Sequence, residues 1–291
     1  MDLTTIFYHT DEFCKQFESQ YPQRILTAGR NVRKRQTRLI LSEVMSIMLY
    51  FSYSGYKTFK DYYTKHERFL RAAFPGLVSY SRFVELQQKA AIPMAFFARC
   101  AGLASCSGLS FIDSSSLKAS HVRRQSSHKV FKGLAGKGKT STGWFYGFKI
   151  HFVITPSGDI IDFYLTSGNV ADTNHTVIKR LSQRLTGKVF GDKGYLLSPD
   201  MREYLVSRGI QFITKIRSSM KAQTMILTDR LMLAKRGVIE SVIAVLKEDF
   251  LLEHTRHRNP LNFFAHICSC IMAYAFKPSK PSIRAELALL A

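Results

Sequence analysis

Acid is what this 291-residue chain has least of: 21 Asp and Glu face 42 Lys and Arg, a formal charge of +21. Between Ser114 and Gly158 there is none, although Lys118, Arg123, Arg124, Lys129, Lys132, Lys137, Lys139 and Lys149 all fall there. Residues 24–42 hold six more basic residues and again no acid. Such an excess attracts polyanions and drives binding by counterion release, without choosing DNA over RNA. Paired cysteine spacings are also missing. Five cysteines, an odd number, give no disulfide framework and point to a reducing compartment. Cys268 and Cys270, with His266 nearby, lack a second ligand pair for zinc and read as buried thiols in an apolar run. No apolar stretch reaches the ~20 residues of a bilayer span. Residues 39–53 and 261–276 are shorter, and Glu43 interrupts the first. The start, Met1-Asp2-Leu3, lacks a basic segment followed by an apolar core, so no secretory signal is expected and a cytoplasmic location is. Ser114, Ser115 and Ser116 carry no Gly-x-Ser-x-Gly elbow, which argues against a serine nucleophile. The glycines near Lys137 and Lys139 lack the strand-to-helix setting and Lys-Ser/Thr ending of a nucleotide loop, which excludes ATP binding.

What is present divides by texture. Residues 1–105 read as helical: Leu41, Val44, Met45, Met48, Leu49 and Phe51 have the spacing of a buried helix. Phe74-Pro75-Gly76-Leu77 is a break, after which Ser79 or Ser81 can cap a helix through Phe83, Leu86 and Ala90. Arg82, Gln87, Gln88 and Lys89 fall on its outer face. That suits a helix-turn-helix-like DNA-binding unit, and equally a bundle that only buttresses the next domain. Residues 106–255 read as alternating strands and helices. Strands are expected at 109–112, 144–155, 160–166, 188–191 and 211–216, and helices at 173–185 (capped by Asp172), near 199–207 and from about 231 to 250. Residues 120–142, polar, basic and rich in glycine, read as a flexible loop able to close on phosphates. A C-terminal helical segment covers 256–291. The order gives an α/β sheet of mixed strand direction flanked by helices and preceded by an all-helical region.

Three acids of this chain have unusual settings. Asp113 ends the apolar run Leu109-Ser110-Phe111-Ile112, where a carboxylate is costly unless paired or bound to a metal. Asp192 follows Val189-Phe190-Gly191, and Gly191 and Gly194 allow close backbone approach. If their strands are neighbours the two acids face each other, and like charges that close require a cation between them. Glu240 comes from the long helix, where positions 236, 240 and 247 share one face at 100° per residue. That face offers one acid for a metal and two cations for phosphate. Taken singly, a strand-end Asp is usually a cap and an Arg-Glu-Lys face a solvated stripe; together, in a basic chain, they form a site. The rival acids are weaker: Asp159 lies in a turn, Asp162 could face solvent, and Asp172 reads as a helix cap.

At these residues the chain resembles the DDE transposases of bacterial insertion sequences. The matching motifs are Ile112-Asp113-Ser114-Ser115, Gly191-Asp192-Lys193-Gly194-Tyr195 and Arg236-x3-Glu240-x6-Lys247. One departure is Leu233, where the signature helix often has a tyrosine. The resemblance implies a ribonuclease-H-like catalytic core in which Asp113, Asp192 and Glu240 bind two Mg²⁺ ions, with Mn²⁺ as substitute. It implies strand cleavage at element ends and transfer of the new 3′-hydroxyl into target DNA, on double-stranded DNA and by a homodimer. Arg236, Lys247 and Lys193 would hold DNA near the cut, and Arg33, Lys34, Arg35, Arg123, Arg124, Lys137 and Lys139 would hold it elsewhere. The alternatives are a nuclease or resolvase with the same acids but no strand transfer, and a DNA-binding protein that no longer cuts.

Overall fold

The computed structural model describes residues 1–20, 37–140, 143–215, 225–253 and 257–283. Arg33, Lys34 and Arg35, and the end of the strand expected at 211–216, lie outside the described residues. The chain divides into two compact units, one built on Met1–Gly102 with His257–Lys277, the other on Leu103–Glu248.

The first unit is helical: α1 (Leu3–Gln20), α2 (Leu41–Phe51), α3 (Phe59–Lys65), α4 (Glu67–Ala73), α5 (Tyr80–Ala101) and α10 (Pro260–Ala275). Helix α2 buries Val44, Met45, Ile47, Met48, Leu49 and Phe51, so it is apolar almost all round and sits at the centre. Glu43, the charge that interrupts its sequence, accepts from the Ile40 N–H at 2.9 Å and so satisfies an orphan donor of the first turn. Ser79 caps α5 by accepting from the Arg82 N–H, and Asn259 caps α10 ahead of Pro260. Cys268 and Cys270 are buried in α10; the Cys270 thiol donates to the Phe250 carbonyl at 3.0 Å, and burial pushes the Cys268 thiol up to about 12. Both behave as packing residues.

The second unit holds the sheet: β1 (Leu109–Ser120), β2 (Gly136–Thr140), β3 (Gly143–Ile154), β4 (Ile160–Ser167), α6 (His175–Leu181), β5 (Gly187–Gly191), α7 (Pro199–Ser207), β6 (Ile210–Thr214), α8 (Leu227–Lys235) and α9 (Gly237–Glu248). Strand order is β2-β3-β1-β5-β6, with β4 also on β3. β1, β5 and β6 are parallel, whereas β3 is antiparallel to β1, β2 and β4. Ile112, Val153, Ile161, Val177, Ile178, Leu181 and Val189 form its core with the helices. This is the mixed, helix-flanked sheet of the ribonuclease-H-like class.

Four local expectations are corrected. Residues 120–142 are not one flexible loop: a short turn at Val122–Arg124 leads to β2, which pairs Lys139 with Trp144 and Gly136 with Gly147. The glycines of β2, Gly136 and Gly138, serve packing: a Cβ on either would fall within 2.4 Å of a neighbouring atom. Strands β2 and β4 meet along one edge of β3, and a Cβ on Gly147 would fall 2.1 Å from the Leu117 carbonyl oxygen. The helix expected from 231 to 250 is two helices, α8 and α9, separated by the single residue Arg236. Helix α6 starts later than expected and is capped by Asn174, not Asp172. Asp162 is fully buried and pairs with Arg180 at 3.1 Å, because α6 covers that part of the sheet.

Candidate active site

Strand β1 is longer than its apolar run, so Asp113 lies within it rather than at its end, paired with Phe152. Alternation sends Asp113 and Ser114 to opposite faces. The parallel register pairs Phe111 with Phe190; two residues on, Asp113 lies beside Asp192, the first residue after β5. On the opposite face Gly191 packs closely: a Cβ there would meet the Phe212 ring at 3.1 Å and Ile112 at 3.3 Å. Glu240 comes from the first turn of α9. Helix α8 is tied to β5 by Lys188, 2.8 Å from the buried Asp229, so its C-terminal end, Arg236, is held over the strand ends.

All three acids converge on Arg236. Its Nη1 is 3.3 Å from Asp113 Oδ2, and its Nη2 is 2.8 Å from Glu240 Oε1 and 3.6 Å from Asp192 Oδ1. The guanidinium is only 16% exposed, against 22% for Asp113, 41% for Asp192 and 60% for Glu240. Asp113 is therefore the least exposed acid of the set. Burial raises its carboxyl to about 6; the Ser114 N–H and Arg236 oppose that rise, and the charges of Asp192 and Glu240 add to it. Among the described residues no three carboxylate, imidazole or thiolate groups stand close enough to hold a metal together. The guanidinium lies among the acids, where a positive charge is needed.

Sequence reasoning missed a second polar cluster on the opposite face of β1. Ser114 Oγ donates to Asp172 Oδ1 at 2.7 Å, and the same oxygen lies 3.1 Å from Lys149 Nζ. His151 is fully buried, with Nε2 3.0 Å from Thr166 Oγ1 and Nδ1 3.7 Å from Asp172; burial lowers its pKa to about 4, so it is neutral at pH 7. The buried Tyr195 phenol lies close to Asp172 and Asp113 and is pushed well above its usual range by burial. The signal in the sequence was the alternation of Lys149 and His151 along β3, two polar residues on one face of a strand otherwise buried.

The basic residues part company. Lys193 is exposed in the loop after Asp192. Lys247 is not with the acids: its Nζ donates to the Ser116 carbonyl at 2.8 Å and lies 3.0 Å from Glu253. Arg123 and Arg124 are exposed in the turn after β1, and Lys137 and Lys139 lie on β2. The Trp144–Lys139 pair is eight residues along β3 from Phe152, the partner of Asp113. At ~3.4 Å per residue that is about 27 Å.

A carboxylate within β1, a second just past the end of the parallel neighbour β5 and a third from a flanking helix, on a sheet of this topology, go with a ribonuclease-H-like domain. Residues 103–260 match the family model described as a transposase DDE domain, and the chain belongs to that family. It is thus a transposase of the DDE type, a class that acts on DNA and generally uses divalent metal. No curated protein matches the chain. Among the described residues no helix is long and apolar enough to cross a membrane.

Proposed function

We propose that this transposase cuts DNA at the ends of its insertion sequence and transfers the resulting 3′-hydroxyl into target DNA, with Asp113, Asp192 and Glu240 as its catalytic acids. The observation that carries the reading is the convergence of these carboxylates, from β1, β5 and α9, on the single guanidinium of Arg236. Three carboxylates that share Arg236 offer only oxygen donors, which would suit a hard divalent ion such as Mg²⁺, or Mn²⁺ in its place, if they drew closer as Arg236 withdrew. When bound, two such ions supply an activated water or 3′-hydroxyl and stabilise the leaving oxygen. The chain's own part is positional. Asp113 is fixed by the sheet, Asp192 by the parallel register, and Glu240 by the first turn of α9. Once withdrawn from the acids, Arg236 is free to hold a phosphate, with Lys193 beside it. Arg123, Arg124, Lys137 and Lys139 extend the DNA contact away from the cut, and Arg33, Lys34 and Arg35, outside the described residues, add basic charge for DNA. Lys247, already bonded to Ser116 and Glu253, ties α9 to β1. Residues 1–105 serve as the DNA-recognition region, helix-turn-helix-like in part, and residues 106–255 as the catalytic domain, followed by a C-terminal segment, 256–291, whose described part holds α10. Joining two element ends calls for two active sites, hence a homodimer on DNA.

Labelled DNA from the flanks of the gene, incubated with protein in Mg²⁺, Mn²⁺ or EDTA, tests this directly. Metal-dependent nicking at one position followed by joining to a second duplex is expected, with both lost in Asp192→Asn at near-normal DNA affinity. Nicking without joining would favour a nuclease or resolvase. Binding without nicking in any metal would leave a DNA-binding protein.

A further inference from the structure

The chain has one tryptophan, and it is on the surface. Trp144 is 57% exposed at the start of β3, an unusual setting for the largest apolar side chain. Lys139 is its cross-strand partner, and Lys137 stands two residues further along β2 on the same face. Their ammonium groups lie 5.6 Å and 4.4 Å from the indole centroid. Since no acid occurs between Ser114 and Gly158, the ribbon's own strands offer these cations an aromatic face instead of a carboxylate.

The strand that carries Trp144 is anchored on both faces. Phe145, on the other face of β3, is buried. On the Trp144 side, the next residues of that face, Tyr146 and Phe148, are buried too: the Tyr146 hydroxyl donates to the Phe131 carbonyl, and Phe131 packs edge-on against Phe148 at 5.2 Å.

We propose that Trp144, Lys137 and Lys139 form a second DNA contact, a wing that grips duplex DNA away from the reacting phosphodiester. Two ammonium groups match successive backbone phosphates, and the indole between them packs against the sugars or the groove edge they frame. A two-stranded ribbon also has the width that a DNA groove admits. The ~27 Å between this ribbon and the Asp113 register, at ~3.4 Å per base pair, puts the contact about eight base pairs from the cut. The wing therefore acts on affinity and alignment, not on the chemical step. It rests on the proposed action on DNA but not on the assignment of the three acids.

Because Trp144 is the only tryptophan, its fluorescence reports on this site alone. The full-length protein is titrated in EDTA with a 30-base-pair duplex of arbitrary sequence, anisotropy of a label on the DNA establishing saturation. Acrylamide quenching is measured with and without DNA. Several-fold protection at low salt, lost on raising salt, is expected. Lys137→Gln/Lys139→Gln should lower the slope of log K against log salt by about two, at ~0.9 per phosphate, with unchanged circular dichroism. Saturated DNA with full acrylamide access, or a double variant of unchanged slope, would overturn the wing while leaving DNA binding intact. Absence of DNA binding would overturn both.

Discussion

Arg236 Nη1 lies 3.3 Å from Asp113 Oδ2, so the most buried acid of the site is paired with a cation on a neighbouring helix end. The same guanidinium also reaches Asp192 and Glu240, which makes it a competitor for any ion the three acids bind. Arg236→Gln should accordingly bind Mn²⁺ several-fold more tightly in the absence of DNA, as read by water-proton relaxation, while binding DNA more weakly. If Mn²⁺ affinity stays level or falls, Arg236 does not stand in the ion's way.

Asp113 carries its own pH signature. Its folded pKa, raised by burial to about 6, exceeds the ordinary 3.8, so between those values the folded protein holds more protons than the unfolded one. Its contribution thus turns unfavourable as pH rises through that window, by roughly 2–3 kcal/mol at ~1.4 per pH unit. Asp113→Asn should be more stable than the wild type at pH 8 and about equal at pH 4, in urea titrations without metal. A variant less stable at pH 8 would mean that Arg236 outweighs desolvation.

Much of this site was legible because its parts are local. Ile112-Asp113, Gly191-Asp192 and Arg236-x3-Glu240 each sit in a short pattern, and α7 matches its expected bounds because Ser198, Pro199 and the apolar spacing act within a few residues. What was illegible depends on partners distant in sequence. Gly136 and Gly138 look like loop residues until β2 is seen to pair with β3. Asp162 looks solvent-facing until Arg180 covers it. The break between α8 and α9 has a local mark, Gly237 after Arg236, but the placing of α8 depends on Lys188 and Asp229, 41 residues apart.

Lys247 shows the same effect in a residue chosen for its charge. Its Nζ is bonded to Ser116 and Glu253, and Glu253 also accepts from the Lys118 N–H at 3.1 Å. Lys247→Met should cost about 1–2 kcal/mol of stability, and the salt slope of DNA binding should fall by well under the ~0.9 of a single phosphate. A fall by that whole amount at unchanged stability would return Lys247 to the phosphate set.

The glycine junction makes a prediction by contrast. A methyl on Gly147 would lie 2.1 Å from the Leu117 oxygen and 2.8 Å from the Ala119 nitrogen, both backbone atoms that cannot step aside without breaking the β1–β3 ladder. Gly147→Ala should destabilise by about 3 kcal/mol or more. Gly194, although in the loop that carries Asp192, has open space around it, and Gly194→Ala should leave stability within ~0.5 kcal/mol. Equal losses in thermal melts would mean that the junction yields.

His151 opposes Asp113 in its response to pH. Burial lowers its folded pKa to about 4 from 6.5, so the folded protein holds fewer protons than the unfolded one in that window. The stability it gives is complete above pH 6.5 and is lost as pH falls toward 4, by roughly 3 kcal/mol. Over the same range Asp113 gains what His151 loses, so the contributions of these two groups largely cancel. His151→Gln, which can still hydrogen-bond Thr166, should leave a protein whose stability rises on acidification from pH 6 to 4. Asp113→Asn should do the reverse and steepen the acid loss. Urea midpoints at half-unit steps from pH 4 to 7 separate the three curves, and parallel curves would mean that neither group is titrating in the folded state.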